Sequence, residues 1–336
     1  MSQLHYKRSK ARLSMGDLEK SKRQSLKLAE HLQAIGEATG DERYKTQAER
    51  VRYCSTFWQG YFCKECGKYH YMHTTGCHHR LCPICAVRQA RVVAVQAMEA
   101  IQFISDHAEK PLRLSLLTLT QKNVKGSELN REVSSLLEAW ERMRHIREFE
   151  RGVKGWARTI EIVPALNDPG SFHPHIHCIL IHSDETSLCS AREWWAKMWK
   201  RAMELDYEPI VDIRPVENTE GAVYEVSKYV SKLSRIYDGS EWERFNVKHM
   251  TDAIYNRRLR SYGGIWAKAR KRLNMARVEQ MNDDAISEYG DMLDSKCDEC
   301  GKDLAFVSLR WAGLKFVTMP DDLVIIPPLI SDLSST

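Results

Sequence analysis

Apolar residues recur at helical spacing over residues 14–38, where Leu18, Leu28, Leu32 and Ile35 stand among charges and predict an amphipathic helix. From Val51 to Cys85 the rhythm is lost and Cys, His and aromatic residues crowd together, the pattern of a segment folded around metal instead of a large core. Helical spacing returns over 86–108. Residues 113–120 are β-branched and Leu-rich and predict a strand, and 128–150 sets Leu129, Val133, Leu137 and Trp140 on one side of a helix. The next segments read as a strand over 155–164, a turn at Asn167-Asp168-Pro169-Gly170, a strand over 173–182, a helix over 190–203 and a strand over 210–215. This order, β-α-β-β-α-β, predicts an α+β fold with a ferredoxin-like, RRM-like antiparallel sheet, flanked by helices and Cys-rich segments. A further helix is predicted over 221–237. The implied domains are a helical region over 1–50, a Cys-rich segment over 51–92, an α+β domain over 93–240, and a basic helical region with a second Cys pair over 241–336.

Composition narrows the class. Over 336 residues, 43% hydrophobic and 28% charged content is that of an ordinary globular protein, which excludes collagen-like, largely disordered and membrane-spanning chains. No apolar run approaches membrane length, and residues 1–10 are basic without an apolar stretch behind them, so a cytoplasmic protein with no membrane partner is expected. The net charge of +5 is by itself a weak pointer to nucleic acid. Ten cysteines in a reducing compartment are better read as metal ligands than as disulfides, and six of them lie between Cys54 and Cys85.

The sharpest chemical signal is His173-Pro174-His175-Ile176-His177, because alternate residues of a strand share a face and the imidazoles of His175 and His177 converge. Such a pair suits a divalent metal if a carboxylate joins it. Closing the hairpin at 167–170 would bring Glu161 roughly opposite residues 176–177, within reach of His177; His173 is left outside the ligand set. On the following helix, Glu225 and Tyr229 are four residues apart and share a face, as do Lys228 and Lys232. Taken alone, that helix reads as an ordinary amphipathic helix with a core tyrosine. By spacing alone, Cys63-x2-Cys66 and Cys82-x2-Cys85, fifteen residues apart, form a four-thiolate zinc pattern. The basic run 257–272, with Arg270 and Lys271 and interleaved Tyr262 and Trp266, fits either a DNA backbone contact or a solvated helix face.

Taken together, Cys77-His78-His79-Arg80-Leu81-Cys82-Pro83-Ile84-Cys85, Leu117-Thr118-Leu119-Thr120 with Asn123-Val124, His175-Ile176-His177, Glu225 with Tyr229, and Ser261-Tyr262-Gly263-Gly264 resemble, in order, the plasmid rolling-circle replication initiators of the His-hydrophobe-His (HUH) endonuclease class. The resemblance runs from about Cys54 to Leu273. It implies a site-specific DNA nickase in which His175 and His177 hold Mg²⁺ or Mn²⁺, with Glu161 as the inferred third ligand. By the same resemblance Tyr229 attacks a phosphodiester of the origin DNA and stays joined to the 5′ phosphate, while the freed 3′ hydroxyl primes synthesis. Glu225 then activates water for release, in the branch that uses one tyrosine and one glutamate. Host replication proteins such as a helicase are implied partners.

The resemblance also groups Cys54, Cys77, Cys82 and Cys85 into one Zn²⁺ site, which leaves Cys63 and Cys66 to join the orphan pair Cys297 and Cys300 in a second. Cys178 and Cys189 read as free thiols, and Trp194, Trp195 and Trp199 as core residues. Two other classes are weighed. A related transposase or relaxase would act on single-stranded DNA with the same chemistry, and a zinc-stabilised DNA-binding regulator would bind without cleaving.

Overall fold

The computed structural model describes residues 14–183, 192–227, 236–237, 239–275, 296–297 and 299–319. The first described elements are α1 (Met15–Thr39) and α2 (Glu42–Tyr53). Ser14 and Asp17 form a reciprocal capping box at the start of α1, and Gly40, at φ 72°, ends it with its N–H on the Gly36 carbonyl. There follow β1 (Phe57–Cys63), β2 (Lys68–His73) and α3 (Pro83–Asp106), then β3 (Leu112–Thr120), the short β4 (Val124–Lys125), α4 (Gly126–Arg144) and α5 (Arg147–Gly152). The long hairpin of β5 (Val153–Pro164) and β6 (Ser171–Ser183) leads to α6 (Arg192–Met203), β7 (Val211–Pro215) and α7 (Thr219–Ser227). The described remainder is α8 (Glu243–Ile254), β8 (Arg260–Gly263), α9 (Gly264–Arg272), β9 (Ala305–Trp311) and β10 (Phe316–Thr318).

The larger sheet runs β7-β3-β6-β5-β8, with β4 beside β6 and every pairing antiparallel. Within the predicted βαββαβ unit, the four strands therefore lie in the order fourth, first, third, second. Strand alternation gives β6 two different faces. Its Phe172, Ile176, Cys178 and Leu180 join Leu129, Val133, Leu136 and Trp140 of α4 and the fully buried Trp195 and Trp199 of α6. On the other face Ile179 and Ile181, with Leu116 of β3 and Ala157 of β5, receive Ala97, Ala100 and Ile104 of α3, Ala222, Val223 and Val226 of α7, and Trp266 of α9. Each buried Leu or Ile in these layers contributes roughly 1.5–3 kcal/mol relative to exposure.

The Gly263-Gly264 pair is a packing requirement. A Cβ on Gly263 would sit 2.2 Å from the Trp156 ring, and Gly264, at φ 59°, brings its Cα so close to the Lys154 carbonyl that a Cβ would lie 2.1 Å from it.

The smaller sheet runs β10-β9-β1-β2 and was not foreseen, since 51–85 reads as a segment without periodicity. Two of its strands come from beyond residue 300, and a local pattern cannot reveal a partner that far away. The sheet is tied to α1: Trp58, Leu309 and Phe316 bury in the same core as Leu18, and the Phe316 N–H donates to Glu19 Oε1 at 3.3 Å. The predicted helix over 128–150 is broken at His145-Ile146 into α4 and α5. Among the described residues beyond 241, β8 and α9 pack on β5 and β9 pairs with β1. Of the helix predicted over 221–237, residues 228–235 lie outside the described residues. No helix among the described residues is long and apolar enough to cross a membrane.

Candidate active site

His175 and His177 project from β6 on the face that also carries Ile179 and Ile181, and Glu161 reaches them from β5. Glu161 Oε2 lies 3.0 Å from His175 Nε2 and 3.1 Å from His177 Nε2, and the two Nε2 atoms are 3.1 Å apart. The register differs from the expected one: Glu161 is paired with His175, and Thr159 with His177, so His177 is reached diagonally. All three side chains are largely buried. Burial alone would push the Glu161 carboxyl up, but hydrogen bonds from His175 and His177 and their charge outweigh it and hold the group well below the ordinary carboxylate range.

The far ring nitrogens are engaged elsewhere. His175 Nδ1 lies 3.1 Å from the His173 carbonyl and donates to it, so loss of the Nε2 proton that faces Glu161 would leave that nitrogen a lone pair for a metal. His177 Nδ1 is 3.1 Å from Thr118 Oγ1 on β3. Two nitrogens and a carboxylate oxygen thus converge on one point, and a donor set of this kind fits a divalent cation with open coordination positions. The His173 ring turns aside to Asn123 Oδ1 at 3.1 Å.

Ladder pairing sets Asp212, Thr118, His177, Thr159 and Arg260 in one row across five strands. At its end the buried Arg260 donates from Nη2 to the Ser227 carbonyl, 3.3 Å away, at the last residue of α7. Glu225 belongs to α7, whereas Lys228, Tyr229 and Lys232 lie outside the described residues. Thr118 and Arg260 are the site residues that sequence reading missed. Thr118 was visible only as part of a motif, and Arg260 only as one charge in a basic run.

The cysteines form two groups. Cys54 Sγ is 3.7 Å from Cys82 Sγ and 3.6 Å from Cys85 Sγ, and Cys77 Sγ is 3.7 Å from Cys85 Sγ. All four are buried, with Cys82 as the N-cap of α3 and Cys85 in its first turn. The buried Lys22 donates to the carbonyls of Arg52 and Cys54, placing a cation beside a cluster that carries excess negative charge when four thiolates hold one Zn²⁺. The donor chemistry of this group fits zinc. Cys63 and Cys66 join Cys297 and Cys300, not Cys82 and Cys85. His79 is half-buried, its Nδ1 accepts from the Leu81 N–H, and desolvation with the charges of Arg50 and Arg80 pulls its pKa down to about 4. Cys178 is buried as a free thiol, and Cys189 lies outside the described residues.

Arg270 does not present its charge to solvent as the basic run suggests. It is buried, donates from Nη1 to Gln96 Oε1 at 2.9 Å and lies over the Tyr262 ring at 4.2 Å, because its position on α9 faces the sheet and α3. Its neighbour Lys271 is exposed.

Residues 68–311 match the family described as replication protein. A "Protein rep" of Bacillus amyloliquefaciens is 30% identical over 285 residues, covering 77% of this chain and 82% of that protein. A "Protein rep" of Streptococcus pneumoniae is 28% identical over 271 residues, covering 76% and 79%. A "Replication protein" of Staphylococcus aureus is 29% identical over 212 residues, covering 57% and 86%. No solved structure matches. The chain belongs to the replication-protein family.

Proposed function

We propose that this protein initiates plasmid rolling-circle replication by nicking origin DNA with Tyr229. The observation that carries the reading is a shared sheet face. Glu161, His175 and His177 occupy one end of it, α7 packs on it through Ala222, Val223 and Val226, and α7 ends at Ser227, against the arginine in the row of His177. Tyr229 follows two residues later in the chain. The order of the four strands agrees with a ferredoxin-like HUH core.

A Mg²⁺ or Mn²⁺ held by Glu161, His175 and His177 would neutralise the scissile phosphate and polarise it toward attack. The Tyr229 hydroxyl would pass its proton to solvent water, which can return one to the leaving oxygen, as its own oxygen bonds to phosphorus. The bond to the 3′ oxygen breaks, the leaving group takes a proton, and the enzyme keeps the 5′ phosphate. Glu225, four residues before the nucleophile in the chain, would accept a proton from water in the later hydrolysis. Thr118 and the His173 carbonyl hold the imidazoles, and a Zn²⁺ on Cys54, Cys77, Cys82 and Cys85 would fix the start of α3 against α1 and α2.

The test is to incubate the full-length protein with supercoiled plasmid carrying its origin and Mn²⁺, denature, and map the DNA-linked peptide by mass spectrometry. An adduct on Tyr229 supports the reading. Binding without any adduct would favour the DNA-binding regulator, and an adduct on a different residue would reassign the nucleophile.

A further inference from the structure

Cys63, Cys66, Cys297 and Cys300 lie away from the nicking site, and the function above makes no use of them. The first pair stands in Cys63-Lys64-Glu65-Cys66-Gly67-Lys68 and the second in Cys297-Asp298-Glu299-Cys300-Gly301-Lys302, so five of six positions match across the chain. The backbones match as well. The Gly67 N–H donates to the Cys63 carbonyl at 2.9 Å, and the Gly301 N–H to the Cys297 carbonyl at 2.8 Å. Gly67 has φ 65° and Gly301 φ 68°. A Cβ at either glycine would meet nothing within 4 Å, so both are glycine because the backbone needs the left-handed conformation and not because space is short.

These two turns face each other. Cys63 Sγ lies 3.5 Å from Cys300 Sγ, Cys66 Sγ lies 3.8 Å from Cys297 Sγ, and all four sulfurs are within 4.8 Å of one another. Four thiolates about 2.3 Å from one Zn²⁺ in a tetrahedron are about 3.8 Å apart, which these separations approach. The Cys66 N–H points at Cys63 Sγ from 3.4 Å, and His70 Nε2 lies 3.7 Å from Cys297 Sγ, both donors suited to a sulfur bearing negative charge.

We propose that Cys63, Cys66, Cys297 and Cys300 bind one Zn²⁺ as a zinc ribbon assembled from two halves 237 residues apart at Cys63 and Cys300, clasping the C-terminal β9–β10 hairpin to β1–β2. The turn at 297–302 has little apolar packing of its own. The exposed Lys68–Glu299 ion pair, 3.1 Å long, links the two turns weakly, and a bound metal would supply most of the hold between them. Beyond this turn, the ladder of β1 and β9 continues the clasp onto α1.

The proposal is independent of Tyr229 and can be tested without DNA. Purified full-length protein is alkylated with iodoacetamide before and after chelation, the cysteines are mapped by peptide mass spectrometry, and zinc is counted by elemental analysis in the wild type and in Cys297→Ser/Cys300→Ser. The expected result is protection of Cys63, Cys66, Cys297 and Cys300 until chelation, and one zinc fewer per chain in the variant. Chelation should also speed tryptic cleavage after Lys302, whose side chain is exposed but whose carbonyl is held by the Cys297 N–H. Equal alkylation with and without chelator, or peptides joined by disulfides among these cysteines, would overturn the proposal. So would unchanged zinc in a folded variant, and if the variant does not fold, the wild-type alkylation pattern decides.

Discussion

Glu161 and His175 are register partners across the β5–β6 ladder, and their Oε2 and Nε2 atoms close to 3.0 Å on the sheet face that α7 covers. Rigid strand pairing therefore fixes the carboxylate relative to the imidazole, without help from a loop. If these atoms are metal ligands, Glu161→Ala raises the Mn²⁺ concentration giving half-maximal cleavage by roughly 10- to 100-fold or more, with little change in DNA affinity. A metal titration of nicking checks this, and an unchanged midpoint would remove Glu161 from the site.

Thr118 is expected to act through His177. Its hydroxyl is the partner of Nδ1 at 3.1 Å, so Thr118→Val leaves the ring free to rotate away from Glu161. Metal affinity should fall by about 10-fold, measured by Mn²⁺ binding, and Thr118→Ser should restore it.

Tyr229 and Glu225 are expected to separate two steps. Tyr229→Phe should lower nicking by roughly 10³-fold or more and abolish the covalent adduct. Glu225→Gln should still nick but accumulate the adduct, because water then lacks its proton acceptor. Quantifying adduct against nicked plasmid over time distinguishes the two variants.

Glu243 links α8 to α1. Its buried carboxylate meets Lys27 Nζ at 2.5 Å and His31 Nε2 at 3.1 Å, and also accepts from the Gly239 N–H. Burial would raise its pKa, but these donors and the Lys27 charge bring it below the ordinary glutamate value of 4.5. A depressed folded pKa adds stability that is present above 4.5 and is lost as pH falls through the folded value. Glu243→Gln should cost about 1–3 kcal/mol at neutral pH and flatten the acid limb of stability, read from urea melts at pH values either side of 4.5.

Arg270 and Lys271 should behave differently despite being neighbours. Arg270→Ala should destabilise by about 1–3 kcal/mol, because Gln96 loses a buried donor and Tyr262 its cation, while the salt slope of DNA binding stays unchanged. Lys271→Ala should leave stability alone and reduce that slope by about 1. Urea melts and salt titrations of binding measure both.

Much of the larger sheet is legible in local pattern. Leu and Thr alternation over β3, the Asn167-Asp168-Pro169-Gly170 turn and the run of alternate histidines mark strands with few alternatives, and their βαββαβ order limits how the sheet can be wound. Residue parity also settled that His175 and His177 share a face. Parity left the register open, and the expected partner of Glu161 was off by one or two positions, since hairpin register depends on turn geometry that a sequence window only approximates.

The sequence by itself thus determined which residue types were available for chemistry: two histidines on one strand face, a glutamate on the adjacent strand, and cysteine pairs in tight turns. Tertiary structure decided who meets whom. Of the two cysteine groupings open in the sequence it chose the one that joins Cys63 and Cys66 to Cys297 and Cys300, and it built β1 and β9 into one sheet, turned Arg270 inward, and set Thr118 against His177. The physical reason is range. Strand alternation and turn conformation are set by nearest neighbours along the chain, whereas metal-like clusters and buried cations depend on contacts between segments that only the packed core brings together.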